Sequence, residues 1–215
     1  MNPSDPVIKI LYDYTKALSV ALGYRDLMTR RHSERVRDIA TEMGVRLGLP
    51  AQTLDALMLA ATFHDIGKIG IPDHILMKPT AFTGEEWEIM KTHSEIGEKI
   101  IASVGIEGSA LAAKVIRHHH EFFDGHGYPD GLAGTDIPIC SRITSIADNY
   151  DAMAVTRSYH LSRPHEQIIL IMHEETGSKL DPDLMKIFHE VIESDAFKKM
   201  RADPGMGGDG RTSGT

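Results

Sequence analysis

An all-α domain is predicted for this chain of 215 residues by three observations. Apolar residues recur at three- and four-residue steps in segment after segment, as the buried stripe of a helix does. The stretch from Thr53 to His64 is apolar nearly all round (Leu54, Leu57, Met58, Leu59, Ala60, Ala61, Phe63), which marks a helix enclosed at the centre of a bundle. Helix stops and starts stand between these segments: Gly48-Leu49-Pro50, the capping-box pattern Thr83-Gly84-Glu85-Glu86, and Gly177.

Val7, Ile10, Leu11, Tyr14, Leu18, Ala21 and Leu22 predict an N-terminal amphipathic helix within residues 1–24, a linker or a surface for pairing two copies of the chain. A second helix starts near Thr29 and turns Val36, Ile39, Ala40, Met43 and Leu47 inward, with His32 in its first turns. The enclosed helix then delivers His64-Asp65 at its buried C-terminal end. Thr83 caps a helix expected to carry Trp87, Met90, His93 and Ile96 together.

Ser109 to about Glu121 reads as a further helix that ends in His118-His119-His120, and the glycine-rich stretch from Asp124 to Gly134 reads as a shaped loop. Pro138 suits the first turn of the next helix, which buries Ile139, Ile143, Ile146 and Ala147 and places Asp148 and Asp151 on one side. Helices over Pro164 to Glu175 and Pro182 to Ile192 complete one domain of residues 25–195. Residues 196–215 are expected to be disordered, because Gly, Asp, Ser and Thr dominate from Ala202 onward and have little to bury.

A formal charge of -8 excludes broad binding to polynucleotides, which rests on many phosphate contacts from Lys and Arg. The single cysteine, Cys140, excludes a disulfide framework and suits a reducing compartment. No basic-then-apolar leader and no spanning apolar stretch occur, so a cytoplasmic protein without membrane contact is expected.

Histidine is abundant at 12 residues, and imidazoles mixed with carboxylates are the donors that a pair of divalent transition metals needs. His32, His64, Asp65 and Asp148 could form one site; Asp65, as a bridge, could form a second with His93, His119 and His120. Taken singly, a histidine such as His32 or His93 is more often a core or surface residue than a ligand, and the triplet could equally be a solvated helix end. The argument for metal is Asp65 at the end of a buried helix, where a charge is costly unless paired or coordinated. His119 and His120 diverge by about 100° on a helix, so both reach one ion only if the helix ends there.

The segments HDIGKIGIPDHILMKP (His64 to Pro79), HHEFFDGHGYPDGLAG (His119 to Gly134) and SRITSIADNYDAM (Ser141 to Met153) strongly resemble the HD-GYP family of bacterial cyclic di-GMP phosphodiesterases, over about Thr29 to Ile192. The resemblance implies an HD-domain helical bundle with the HD-GYP extension, and metal ligands at His32, His64, Asp65, His93, His119, His120 and Asp148. His118 then lies beside the pair or is solvent exposed. A glutamate that holds a third ion in some members is replaced here by Met28, a poor donor for a hard ion. Two ions are therefore expected, iron or manganese first, with zinc, nickel or cobalt acceptable to the donor set.

The resemblance also implies that Gly127, Tyr128 and Pro129 wall the substrate site, that Lys68 and Arg157 hold phosphate, and that Asp151 orients a water or a ligand histidine. His160 replaces a second family arginine, so a permanent bidentate charge gives way to a mostly neutral ring. The implied activity is hydrolysis of cyclic di-GMP to pGpG, and in some members on to GMP, by a metal-bridging hydroxide, with Asp65, Lys68 and Asp151 at the catalytic centre. The alternatives are a signalling module that binds nucleotide or docks on a diguanylate cyclase domain with little turnover, a phosphodiesterase preferring cyclic GMP-AMP, and an HD-type oxygenase or nucleotidase.

Overall fold

The computed structural model describes residues 29–105, 108–154, 163–195 and 197–198. The expected N-terminal helix, Met28, Arg157, His160 and nearly all of the C-terminal tail lie outside these residues. The described part is helical: α1 (Thr29–Arg46), α2 (Ala51–Phe63), a 3-10 turn (Ile66–Gly70), α3 (Asp73–Leu76), α4 (Gly84–Lys91), α5 (His93–Ala102), α6 (Ser109–Arg117), a second 3-10 turn (Gly134–Asp136), α7 (Ile139–Ala154), α8 (His165–Glu174) and α9 (Pro182–Ile192). Among the described residues the only β-pairing is an isolated bridge between Thr176 and Leu180, and no helix is long and apolar enough to cross a membrane.

The apolar stripe of α1 packs along α2 and α7, whereas α5 packs on α6 and on the first 3-10 turn. Their common core holds Val36, Ile39, Met43, Leu57, Phe63, Ile116, Ile143, Ile146 and Phe188, all almost fully buried. Each such side chain contributes roughly 1.5–3 kcal/mol of transfer free energy. From Asp55 to Phe63 every residue of α2 is buried, which is the enclosure its composition predicts. A small second core of Ile71, Ile75 and Met90, on which the half-buried Ile96 of α5 packs, joins α3 and α4 to α5.

Two helices differ from expectation. The helix capped at Thr83 has the full capping box, with Glu86 N donating to Thr83 Oγ1 at 3.3 Å and Thr83 N to Glu86 Oε2 at 2.7 Å, but it stops at Lys91. There the Thr92 amide and hydroxyl both turn back onto the Ile89 carbonyl, at 3.1 and 2.6 Å, and α5 starts afresh at His93. Helix α6 likewise ends at Arg117 and not near Glu121, because His118 leaves helical geometry (φ -105, ψ 12). The histidine run therefore lies in a turn, the condition under which two neighbouring imidazoles can converge.

Candidate metal centre

The structure brings all seven expected ligands together from α1, the end of α2, the start of α5, the turn after α6, and α7. Their donor atoms form two groups, His32 with His64 and Asp148, and His93 with His119 and His120; within each, all lie within 4.8 Å of one another. Asp65 stands between the groups. Its Oδ2 is 3.5 Å from His64 Nε2, and its Oδ1 is 3.6 Å from His93 Nε2.

Backbone carbonyls set the ring orientations. Nδ1 of His64, His93 and His119 donates to the carbonyl three residues back, on Ala61, Met90 and Ile116, at 2.9, 2.8 and 2.6 Å. A carbonyl only accepts, so each Nδ1 carries the proton and each Nε2 presents a lone pair inward. Nε2 of His93 and of His119 is buried with no hydrogen-bond partner among the described residues. Orphaned acceptors of this kind are costly unless something fills the space between them, and a divalent cation fits both the donors and their number.

His32 is oriented differently. Its Nδ1 lies 2.7 Å from Asp151 Oδ2, while Nε2 points at Asp148 Oδ1 (3.1 Å) and His64 Nε2 (3.3 Å). Asp151 is in turn gripped by Arg35, whose Nε donates to Oδ1 at 2.6 Å and whose second nitrogen donates to Oδ2 at 2.9 Å. This carboxylate behind a ligand histidine fixes the tautomer and raises ring basicity. Arg35 was not singled out in the sequence, although it sits three residues after His32 on the same helix face.

Electrostatics divide the two groups. Burial alone would lower the His32 pKa, but hydrogen bonds that it donates to Asp148 and Asp151 carry it up to about 9. Burial keeps His93 below its ordinary value, takes His119 down to about 3 with help from the His64 charge, and holds His120 well down. Burial works against the Asp65 and Asp148 carboxylates, yet both are held well below the usual range, Asp65 by Lys68 and then the histidines, Asp148 by His32 and His64. Metal ligation requires ionised carboxylates and neutral imidazoles, the states that Asp65, Asp148, His93, His119 and His120 adopt, whereas His32 has to release a proton to bind a cation.

Lys68 Nζ donates to Asp65 Oδ2 at 2.7 Å, which anchors it at the rim of the cluster. Two glycines make the close approaches possible. A Cβ on Gly67 would sit 1.8 Å from the His93 carbonyl oxygen, so only glycine lets the 3-10 turn bearing Asp65 lie against α5. A Cβ on Gly127 would sit 2.2 Å from the Phe122 nitrogen; without it the loop folds back and Tyr128 N donates to the His120 carbonyl at 3.1 Å.

Tyr128 thereby packs on His120, ring centroids 4.9 Å apart and planes 30° off parallel, and burial, then Asp65 and Asp148, raise its pKa. The Tyr128–Pro129 peptide is cis. Glu121, unremarked in the sequence beyond its place in the motif, clamps the loop: its two oxygens accept from Asp130 N (2.7 Å) and Leu132 N (3.2 Å). His118 is buried and contacts Asp130 Oδ2 through Nε2 at 2.8 Å, joined there by a bidentate Arg117. His126, by contrast, is exposed beside Asp124.

The HD domain family model matches residues 17–184. A cyclic di-GMP phosphodiesterase of Thermotoga maritima is 38% identical over 178 residues, 83% of this chain and 48% of that protein. The 3'3'-cGAMP-specific phosphodiesterase 2 of Vibrio cholerae is 36% identical over 173 residues, 80% of this chain and 33% of that protein. The chain thus spans about half the length, or less, of these curated relatives. Among solved structures, the cyclic GMP-AMP specific phosphodiesterase V-cGAP3 of V. cholerae shares the fold with a TM-score of 0.62 at 17% identity, over 81% of this chain and 47% of that one.

Proposed function

The chain belongs to the HD superfamily of metal-dependent phosphohydrolases, in its HD-GYP type, and on that premise we propose that it hydrolyses the cyclic dinucleotide second messenger cyclic di-GMP to linear pGpG. The observation that carries this reading is Asp65, one carboxylate oxygen turned to each of two groups of converging donors. When bound there, two divalent ions supply hydroxide near neutral pH, by bringing the pKa of water toward about 7, and offset charge on phosphoryl oxygens. Iron or manganese is the proposed occupant.

The chain's own residues do the rest. His32, His64 and Asp148 would hold one ion and His93, His119 and His120 the other, with Asp65 between the two groups. Asp151 keeps the His32 ring aimed. Lys68, tethered to Asp65, reaches a non-bridging phosphate oxygen as a point charge. Tyr128 keeps its phenolic proton at neutral pH and offers the nucleotide a ring face and a donor beside His120. Gly127 and Pro129 shape that wall, and Arg157 takes the second phosphate contact.

A preference for cyclic GMP-AMP is the second reading, supported by the 36% identity to a relative with that specificity in its name. A cytoplasmic location, pairing of two copies through residues 1–24, and docking of a diguanylate cyclase domain on the loop around Tyr128 belong to the same proposal. Elemental analysis of protein purified without oxygen, with chromatography of products from both cyclic dinucleotides, tests it. Two ions per chain and a linear dinucleotide are expected. Failure of metal-loaded protein to cleave either ring overturns the enzyme in favour of a binding module.

A further inference from the structure

Trp87 is the chain's single tryptophan, and 44% of it is exposed although it lies on the helix that buries Met90. An indole carries a large apolar surface together with one polar N–H, and tryptophans are enriched at interfaces, where a partner covers that surface. Its neighbours give it a direction. Phe82 lies nearly parallel to it, 20° between planes with centroids 6.3 Å apart, and Tyr128 meets it edge-on at 6.1 Å. Tyr128 in turn packs on the ligand His120. The rings therefore run outward from the donor cluster in the order His120, Tyr128, Trp87, Phe82.

Charge follows the same line. Lys91, one helical turn after Trp87 on α4, puts Nζ 5.8 Å from the centre of the Tyr128 ring, while an exposed Glu88 shares it at 2.7 Å. An aromatic surface with a cation beside it, continuous with a phosphate-cleaving centre, is the chemistry that recognises a nucleobase attached to a phosphodiester. A cyclic dinucleotide has two bases, and the aromatic surface that leads outward past Tyr128 offers one of them a place when the scissile phosphate sits at the donor cluster. Resting on the phosphodiesterase reading above, we propose that Trp87 is the stacking platform for that second nucleobase, and so sets affinity for the dinucleotide while the metals and Lys68 act on the phosphate.

The test uses the metal-loaded protein, where excitation at the red edge of the aromatic band selects the single indole over the six tyrosines. Stopped-flow mixing with cyclic di-GMP quenches that emission before product forms. Trp87→Ala raises KM roughly tenfold, the scale of one lost base–aromatic stack, with metal content at the wild-type level, and Trp87→Phe recovers most of the loss. A merely structural role for the ring predicts no quenching. Turnover with silent indole emission and an unchanged KM in Trp87→Ala overturns the platform and leaves the phosphodiesterase intact; absence of both binding and hydrolysis for every cyclic dinucleotide overturns both.

Discussion

Asp65 Oδ1 and His93 Nε2 stand 3.6 Å apart though they come from different elements, and the approach depends on Gly67 two residues after the aspartate. Gly67 has backbone, not a flexible side chain, against its missing Cβ, so nothing nearby can yield cheaply. Gly67→Ala is expected to cost at least about 3 kcal/mol, the upper end of overpacking, and to separate the two donor groups. Gly84→Ala, at the start of α4 where a Cβ meets nothing within 4 Å, should be neutral or slightly stabilising. Urea midpoints of the two variants check this; equal midpoints would falsify the close-packing argument.

Asp65→Ala removes the carboxylate whose two oxygens lie near both donor groups, so metal retention and turnover are expected to disappear together. Tyr128→Ala removes a ring that packs on His120 without being one of the donors, and should keep its ions while losing affinity for nucleotide. Metal content per chain, measured on both variants beside product formation, separates these outcomes. An Asp65 variant that keeps two ions and full turnover would remove the bridging role.

The donor set was legible because ligation needs particular residue types, and His64-Asp65, the histidine run and Asp148 announce themselves by chemistry. The helix carrying Val36, Ile39 and Met43 and the enclosed α2 were legible from periodicity for the same reason, that burial acts on each residue locally. Arg35 was not, since its partner Asp151 lies 116 positions away and no local pattern reports a long-range ion pair. The break at Thr92 escaped notice because a threonine that satisfies its own helix end looks, in sequence, like any mid-helix threonine. That a helix carries Trp87 was legible, but not that it stays partly in solvent with Tyr128 edge-on beside it, because that arrangement rests on a loop about forty residues further along the chain.

Asp151→Asn keeps the shape of the group behind His32 but removes the charge that Arg35 and His32 share. Loss of such a carboxylate typically weakens a metal by about 10–100-fold. The effect should fall on the ion held by His32, His64 and Asp148, leaving the ion at His93, His119 and His120 close to wild-type affinity. Competition with a graded series of chelators resolves the two; equal weakening of both ions, or of neither, contradicts the division into two groups.

Stability of the metal-free protein should depend on pH through the same histidines. In the unfolded chain an imidazole titrates near ~6.5, whereas in the fold burial first, then neighbouring charges, hold His119 down to about 3 and lower His93 and His120 as well. Below about pH 6.5 the unfolded chain therefore binds protons that the folded chain refuses, and the stability present above that pH is lost as pH falls toward 3. His32 acts with the opposite sign: raised to about 9 by Asp148 and Asp151 against its burial, it stabilises fully below about 6.5 and its contribution fades as pH rises through 9. Metal-free protein should accordingly be most stable near neutrality, with a urea midpoint that drops from pH 6.5 to 4.5. In that interval His32 stays protonated in the fold and gains only its last half proton in the unfolded chain, so the drop is dominated by the three depressed rings, and His119→Gln should make it shallower. A midpoint that rises on acidification would mean that these imidazoles take up protons in the fold, and with them the inward-facing lone pairs on which the ligand assignment rests would be lost.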